Sequence, residues 1–158
     1  MKISFDLDDT IIPGTKTFET EPQRFIHRLL CIEKIRKGTI ELFRTLKDEN
    51  HNIGIYTTSF RSFIKIKLTF LLYGCAVDFI INQQKHTQAI IKNQKQASKY
   101  PPMFGIDIHI DDSLGVAMEG NKYNFQTIIV GENQENWTDY IKPKLRIRNE
   151  LQENYASY

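Results

Sequence analysis

The stretch Ile3-Ser4-Phe5-Asp6-Leu7-Asp8-Asp9-Thr10-Ile11-Ile12 decides how this chain is read. An apolar run passes straight into three carboxylates within four positions, then into Ile-Ile. That pattern fits a short buried strand feeding a tight loop. Crowded carboxylates are costly, because two unit charges ~4 Å apart repel by about 4 kcal/mol at an effective dielectric of ~20. Either one acid keeps its proton or a divalent cation neutralises the group. The plainer alternative is that Asp8, Asp9 and Thr10 only cap a helix or shape a turn.

Three later stretches favour the first reading. Asn52-Ile53-Gly54-Ile55-Tyr56-Thr57-Thr58 reads as a second strand ending in hydroxyls, several lysines lie between residues 85 and 99, and the run from Phe104 to Ser113 reads as a third strand ending in Asp111-Asp112. In this order the set resembles the haloacid dehalogenase-like superfamily of phosphotransferases. Its four motifs are an Asp-x-Asp-x-Thr after the first strand, a Thr or Ser after the second, a Lys, and an acidic pair. The resemblance covers Lys2 to about Val130.

The 158 residues suffice for one domain with a core of its own. Hydrophobic content of 41% and charged content of 25% are those of an ordinary globular protein, and a net charge of +2 does not by itself point to nucleic acid or membrane. Cys31 and Cys75 are far apart without metal-ligand spacing, and free buried thiols are expected. Acids interrupt the N-terminus at once and no run approaches the ~18 apolar residues of a membrane span, so a cytoplasmic protein without a membrane partner is expected.

Along the chain, Pro13-Gly14 marks a turn and residues 15–23 read as an irregular loop. A helix is expected over 23–33 with Phe25, Leu29 and Ile32 on one side. A second starts at Thr39 as N-cap, with Leu42, Phe43 and Leu46 as its stripe, and ends near Asn50. Residues 60–73 read as a helix with Phe63, Ile66 and Phe70 inward and Gly74 as C-cap; residues 77–82 and 125–131 read as strands, and 85–98 as a polar helical segment stopped by Pro101-Pro102. Strands alternating with helices predict an α/β, Rossmann-like, mostly parallel sheet with helices on both faces and ligands at the carboxyl ends of the strands. The basic tail 135–158 carries Trp137, Tyr140, Ile141 and Leu145 at helical spacing with Pro143 interrupting. Lys142, Lys144, Arg146 and Arg148 read there as a solvated face or as phosphate-backbone contacts.

The resemblance implies a magnesium-dependent phosphatase. Asp6 would attack phosphorus to form an aspartyl-phosphate and Asp8 would serve as acid and then base. Thr57 and Thr58 would bind the phosphoryl group together with a lysine, Lys99 by its short spacing to Asp111 or Lys85 as the alternative. Mg2+ would be held by Asp6, the backbone carbonyl of Asp8, and Asp112, with Asp111 outside it. An acid at position 8 fits phosphatases and mutases of the family rather than dehalogenases. Residues 14–36 leave room only for a small flap, not a separate cap. The resemblance thus implies an open site suited to a bulky phosphorylated substrate, or one closed by a neighbouring subunit of a homo-oligomer. A nucleotidase or nucleic-acid end phosphatase is one alternative, and a non-catalytic phosphate-binding module another. Lys92 and Lys95 read as solvated helix positions. His109 either packs under a helix or supports Asp111, while His27, His51 and His86 lack ligand spacing. Ser59 and Arg61 could touch substrate, and Ser59 equally suits a helix N-cap.

Overall fold

Short runs of β-branched residues separated by helical stretches form a five-stranded, wholly parallel sheet in the computed structural model, which describes residues 1–93 and 97–156, with side chains for 1–92 and 97–147. The strands are β1 (Lys2–Phe5), β2 (Asn52–Tyr56), β3 (Phe79–Ile81), β4 (Ile108–Asp111) and β5 (Gln126–Ile129), in the order β3-β2-β1-β4-β5. The helices are α1 (Phe25–Leu29), α2 (Thr39–Asp48), α3 (Phe63–Leu72), α4 (Gln83–Asn93), α5 (Leu114–Tyr123) and α6 (Trp137–Ala156), and they flank both faces of the sheet. The Rossmann-like α/β expectation is met.

Successive strand residues point to opposite faces, and here the two faces differ in chemistry. Ile3, Phe5, Ile53, Ile55, Ile108 and Ile110 enter the main core. That core also receives Leu42, Phe43 and Leu46 of α2, Ile66 and Phe70 of α3, and Trp137, Ile141 and Leu145 of α6. The alternate positions carry Ser4, Gly54, Tyr56, His109 and Asp111, and the apolar part of that face is a smaller cluster of Tyr56, Ile81 and Ile106. The register sets Ser4 opposite His109 and Gly54 opposite Phe79. A polar lane therefore runs up the central strands toward their carboxyl ends.

Several local expectations change. α1 has only five residues, and Phe25 and Leu29 are exposed while Ile32 alone of the expected stripe is buried. His27 is the anchor instead: its Nδ1 accepts the Arg24 N–H, its Nε2 pairs with the Leu72 carbonyl, and its ring stacks on Tyr73 at 4.2 Å. The chain then turns at Cys31 (φ 49°), which stops the helix and leaves that thiol exposed; Cys75 is buried, and both cysteines are free. Gly38, with φ 87°, rather than Thr39 is the N-cap of α2, and the Thr39 hydroxyl donates back to the Arg36 carbonyl. α3 begins at Phe63 because Ser62, not Ser59, is its N-cap, the Ser62 Oγ accepting the Lys65 N–H. Phe63 in that first turn lies outside the core. Gly74 follows α3 with φ 74°, the conformation a helix-ending glycine supplies. The expected strand from Phe104 divides into a 3-10 turn (Pro101–Phe104), a turn at Gly105 and the short β4. α6 continues through Pro143, because Ile141 and Leu145 on either side of it are buried and their packing offsets the lost hydrogen bond. Lys92 is exposed on α4; Lys95 and the side chain of Arg148 lie outside the described residues.

Candidate functional site

Asp6 directly follows β1, and its N–H donates to the Ile110 carbonyl of β4, so the carboxyl ends of the two central strands are tied together. By the same alternation Ser4 and Asp6 share a face with His109 and Asp111. Immediately afterwards the chain closes a tight loop in which the N–H groups of Ile11 and Ile12 both bond the Leu7 carbonyl. Burial of Leu7, Ile11 and Ile12 fixes that loop. Asp9 takes φ 58°, and its carboxylate accepts from the backbone N–H of Gly14 and Lys16 and from the Thr15 hydroxyl. It is therefore the residue that shapes the start of the flap.

Asp6, Asp111 and Asp112 offer oxygens that lie within 4.8 Å of one another. The buried Lys99 enters from the α4–β4 connection, its Nζ 2.5 Å from Asp6 Oδ1 and 2.6 Å from Asp111 Oδ2. Asp111 is further held by His109 Nε2 at 2.9 Å and by the Ser113 N–H at 2.8 Å. His109 Nδ1 lies 2.8 Å from Ser4 Oγ. With Nε2–H facing the carboxylate, Nδ1 accepts from the serine hydroxyl, so a neutral imidazole satisfies both contacts. Burial lowers the pKa of His109, consistent with that form, although the contact with Asp111 opposes the shift.

Two buried carboxylates around one ammonium cannot behave alike. Burial raises the Asp6 pKa to about 7; Asp111 adds to the rise and Lys99 opposes it. Burial also acts to raise Asp111, but the His109 hydrogen bond and the Lys99 charge outweigh it and hold that carboxyl well below its ordinary range. Lys99 is pulled down by burial, yet the two carboxylates more than compensate and its net shift is upward.

Thr57 follows β2, is buried, and accepts the Ser59 N–H at 3.1 Å, leaving its hydroxyl proton to be donated elsewhere; Thr58 is exposed. Ser59 Oγ is buried and has no hydrogen-bond partner among the described residues. Asp8 is half-exposed and accepts from Arg61 Nη1 at 2.6 Å, while the rest of that guanidinium grips both oxygens of Glu33. Lys85 turns away, its Nζ donating to the Ile80 carbonyl. Thr10 donates to Asp112 Oδ1 at 3.3 Å, and Lys16 reaches over from the flap to Asp112 Oδ2 at 2.5 Å.

Lys16, Ser4 and Glu33 are participants that the sequence reading passed over. Ser4 was accessible to it: position 4 precedes Asp6 by two, as His109 precedes Asp111. Lys16 sits in an irregular loop and Glu33 in a misjudged helix, where no periodicity says which way a side chain turns. A separate cavity of about 620 Å3 lies between the flap, the start of α2 and the β5–α6 loop, beside Arg36; none of the three clustered acids lines it.

This arrangement can bind a cation through hard oxygen donors and hold an anion beside Lys99, a combination suited to phosphate binding or to catalysis. No protein-family model matches the chain, and no curated protein matches it either.

Proposed function

We propose that the protein is a magnesium-dependent phosphohydrolase of the haloacid dehalogenase-like type, acting on a phosphate monoester through an aspartyl-phosphate. The observation that supports this reading is the clustering of Asp6, Asp111 and Asp112 at the ends of the two central strands, with Lys99 between two of the acids, while Thr57 follows the neighbouring strand β2. Phosphate monoesters are among the slowest biological bonds to hydrolyse, so charge neutralisation and in-line positioning are the main requirements.

Asp6 would attack phosphorus through its oxygen not engaged by Lys99, forming an O–P bond as the bond to the leaving oxygen breaks. Asp8 would give its proton to that oxygen. Water would then attack the aspartyl-phosphate and pass a proton to Asp8, releasing inorganic phosphate and restoring both carboxyls. Thr57 would donate to a phosphoryl oxygen, and Lys99 would offset the negative charge. The donor set suits magnesium: all its atoms are oxygens, and the acids come within bridging distance of each other. Asp6, the Asp8 carbonyl and Asp112 would hold the ion, which would displace Lys16 from Asp112, whereas the fully buried Asp111, held by Lys99, His109 and the Ser113 N–H, would stay outside it. Bound there, magnesium would neutralise phosphoryl charge. Arg61 and Glu33 orient Asp8 from the flap side, so an entering leaving group meets Asp8 next to a guanidinium.

Turnover of an aryl phosphate with magnesium, with chelator, and by Asp6→Asn tests the reading. Activity is expected only in the first case. Undiminished turnover in excess chelator would remove the metal, and near-normal turnover by a clean Asp6→Asn preparation would remove the nucleophile. A folded protein that binds phosphate but never turns over would be the non-catalytic module instead.

A further inference from the structure

Residues 22–32 and the long run from Asn50 to Val77 carry no acids. They contain α1 and α3, which lie side by side. His27 joins them at one end through the Leu72 carbonyl and the Tyr73 ring. At the other end Glu33 is held by Arg61 and lies 3.5 Å from Lys65. The outer side of this pair carries most of the large apolar groups that the described residues leave exposed. Phe60 is 95% exposed, Phe25 80% and Ile64 74%. Arg28 and Lys67 are exposed among them and form no ion pair with the described residues. Phe60 follows the Thr57–Ser59 loop directly, and Arg61 touches Asp8, so this face runs up to the acid cluster.

We propose that the α1–α3 face binds single-stranded nucleic acid and directs its phosphorylated end to Asp6. The delivery half rests on the phosphohydrolase reading; the binding half does not. Charge complementarity selects a polyanion, and a strand that alternates phosphates with flat bases matches a surface where cations alternate with exposed rings. A bilayer separates charge from hydrocarbon by depth, whereas Lys67 lies on the same exposed stripe of α3 as Ile64 and Leu71. A second copy packed face to face would set Arg28 and Lys67 against their own equivalents.

The test is fluorescence anisotropy with labelled single-stranded DNA and RNA oligonucleotides of about twelve nucleotides, in chelator, at low and moderate salt. Binding of at least one strand type is expected, with affinity falling steeply as salt rises. Phe60→Ala should weaken it by roughly ten-fold, the scale of one lost stack. Lys67→Glu should weaken it and flatten the salt dependence, and Lys122→Glu on α5 should do neither. All three positions are exposed, and unchanged melting temperatures would verify folding. The proposal is overturned if neither oligonucleotide binds at low salt, or if Phe60→Ala and Lys67→Glu bind like the wild type. Binding of phosphatidylserine vesicles in place of oligonucleotides would make the face a membrane surface. Self-association abolished by Phe60→Ala, without oligonucleotide binding, would make it a dimer interface. Delivery is read separately as release of phosphate from 5′- and 3′-phosphorylated oligonucleotides, with kcat/KM lowered in Phe60→Ala. Hydrolysis of aryl phosphate but of neither oligonucleotide end overturns delivery alone; failure on all three overturns the phosphohydrolase reading and leaves the binding result standing.

Discussion

Replacing Lys99 by Met removes the ammonium while keeping much of the buried stem. In the wild-type protein Nζ lies 2.5 Å from Asp6 and 2.6 Å from Asp111. Without it the two carboxylates face each other with oxygens no more than 4.8 Å apart. At an effective dielectric of ~20 that repulsion is about 3.5 kcal/mol, similar to the ~3–5 kcal/mol typical of breaking a buried pair from one side. Asp6 has a way out, because its pKa is already raised to about 7 and loss of the cation raises it further. Near pH 6 the variant can fold with Asp6 protonated. Above pH 7 the variant's folded state holds a proton that the wild type has released, so its deficit grows by up to about 1.4 kcal/mol per pH unit until its own higher pKa is reached. Urea unfolding of Lys99→Met in chelator should therefore show a loss of about 3 kcal/mol that is larger at pH 8 than at pH 6, and magnesium should recover part of it. Aryl-phosphate turnover should fall by about two to three orders of magnitude, the scale for removing one preorganised charge donor. Lys85→Met, which loses a bond to the Ile80 carbonyl, should leave both measurements near wild type. A Lys99→Met protein with wild-type unfolding midpoints at both pH values and normal turnover would refute this account. Loss of turnover in Lys85→Met alone would assign the phosphate lysine to position 85.

Asp8→Asn should keep the attacking carboxylate but lose the base for the second step; with a good leaving group a burst should appear and phosphate mass should remain on the peptide containing Asp6. Label on Thr57 or Ser59 would mean a different covalent mechanism. Added magnesium should raise the melting temperature of the wild type and raise it less in Asp112→Asn, because a ligand of the folded state alone stabilises it. Glu33 is driven up by partial burial but down more strongly by its hydrogen bonds and charge pairing with Arg61, so its folded pKa lies below its ordinary 4.5. Its contribution, about 1–2 kcal/mol, is complete above that value and is lost as pH falls through the lower folded pKa. Glu33→Gln should accordingly show a flatter acid limb in pH-dependent melting, and an unchanged acid limb would count against the Glu33–Arg61 contact. Gly54→Ala would set a Cβ 2.5 Å from the Phe79 ring, and a loss of about 1–3 kcal/mol in urea unfolding is expected.

The parts of this molecule that were legible in its sequence are those where one side-chain periodicity meets one burial requirement. Strands buried on both faces read as Ile-rich runs, and α2 showed its inward stripe of Leu42, Phe43 and Leu46 directly. α1 misled because its apolar content, Phe25 and Leu29, faces outward while a histidine anchors it. α5 gives no such signal: within it only Val116 and Gly120 are buried, too few apolar positions to give a stripe. What allows so thin a helix is contact with the sheet at close range, since a Cβ on Gly120 would lie 2.8 Å from the Phe125 carbonyl.

The site divides along the same line. Asp6, Asp111 and Asp112 were found because strand ends are punctuated in sequence, and two-residue alternation already put His109 on the Asp111 face. What alternation cannot give is register, and register is what turns a polar lane into a network. Sliding β1 by one residue against β4 would put Phe5, not Ser4, opposite His109 and turn Asp6 to the other face. The hydrophobic face prevents that slip, because Ile3 and Phe5 must stay in the same core as Ile108 and Ile110. The apolar side of the sheet thus fixes the geometry of the polar side: Ser4 can reach His109, His109 can hold Asp111, and Asp111 can share Lys99 with Asp6 only while the isoleucines opposite remain in step.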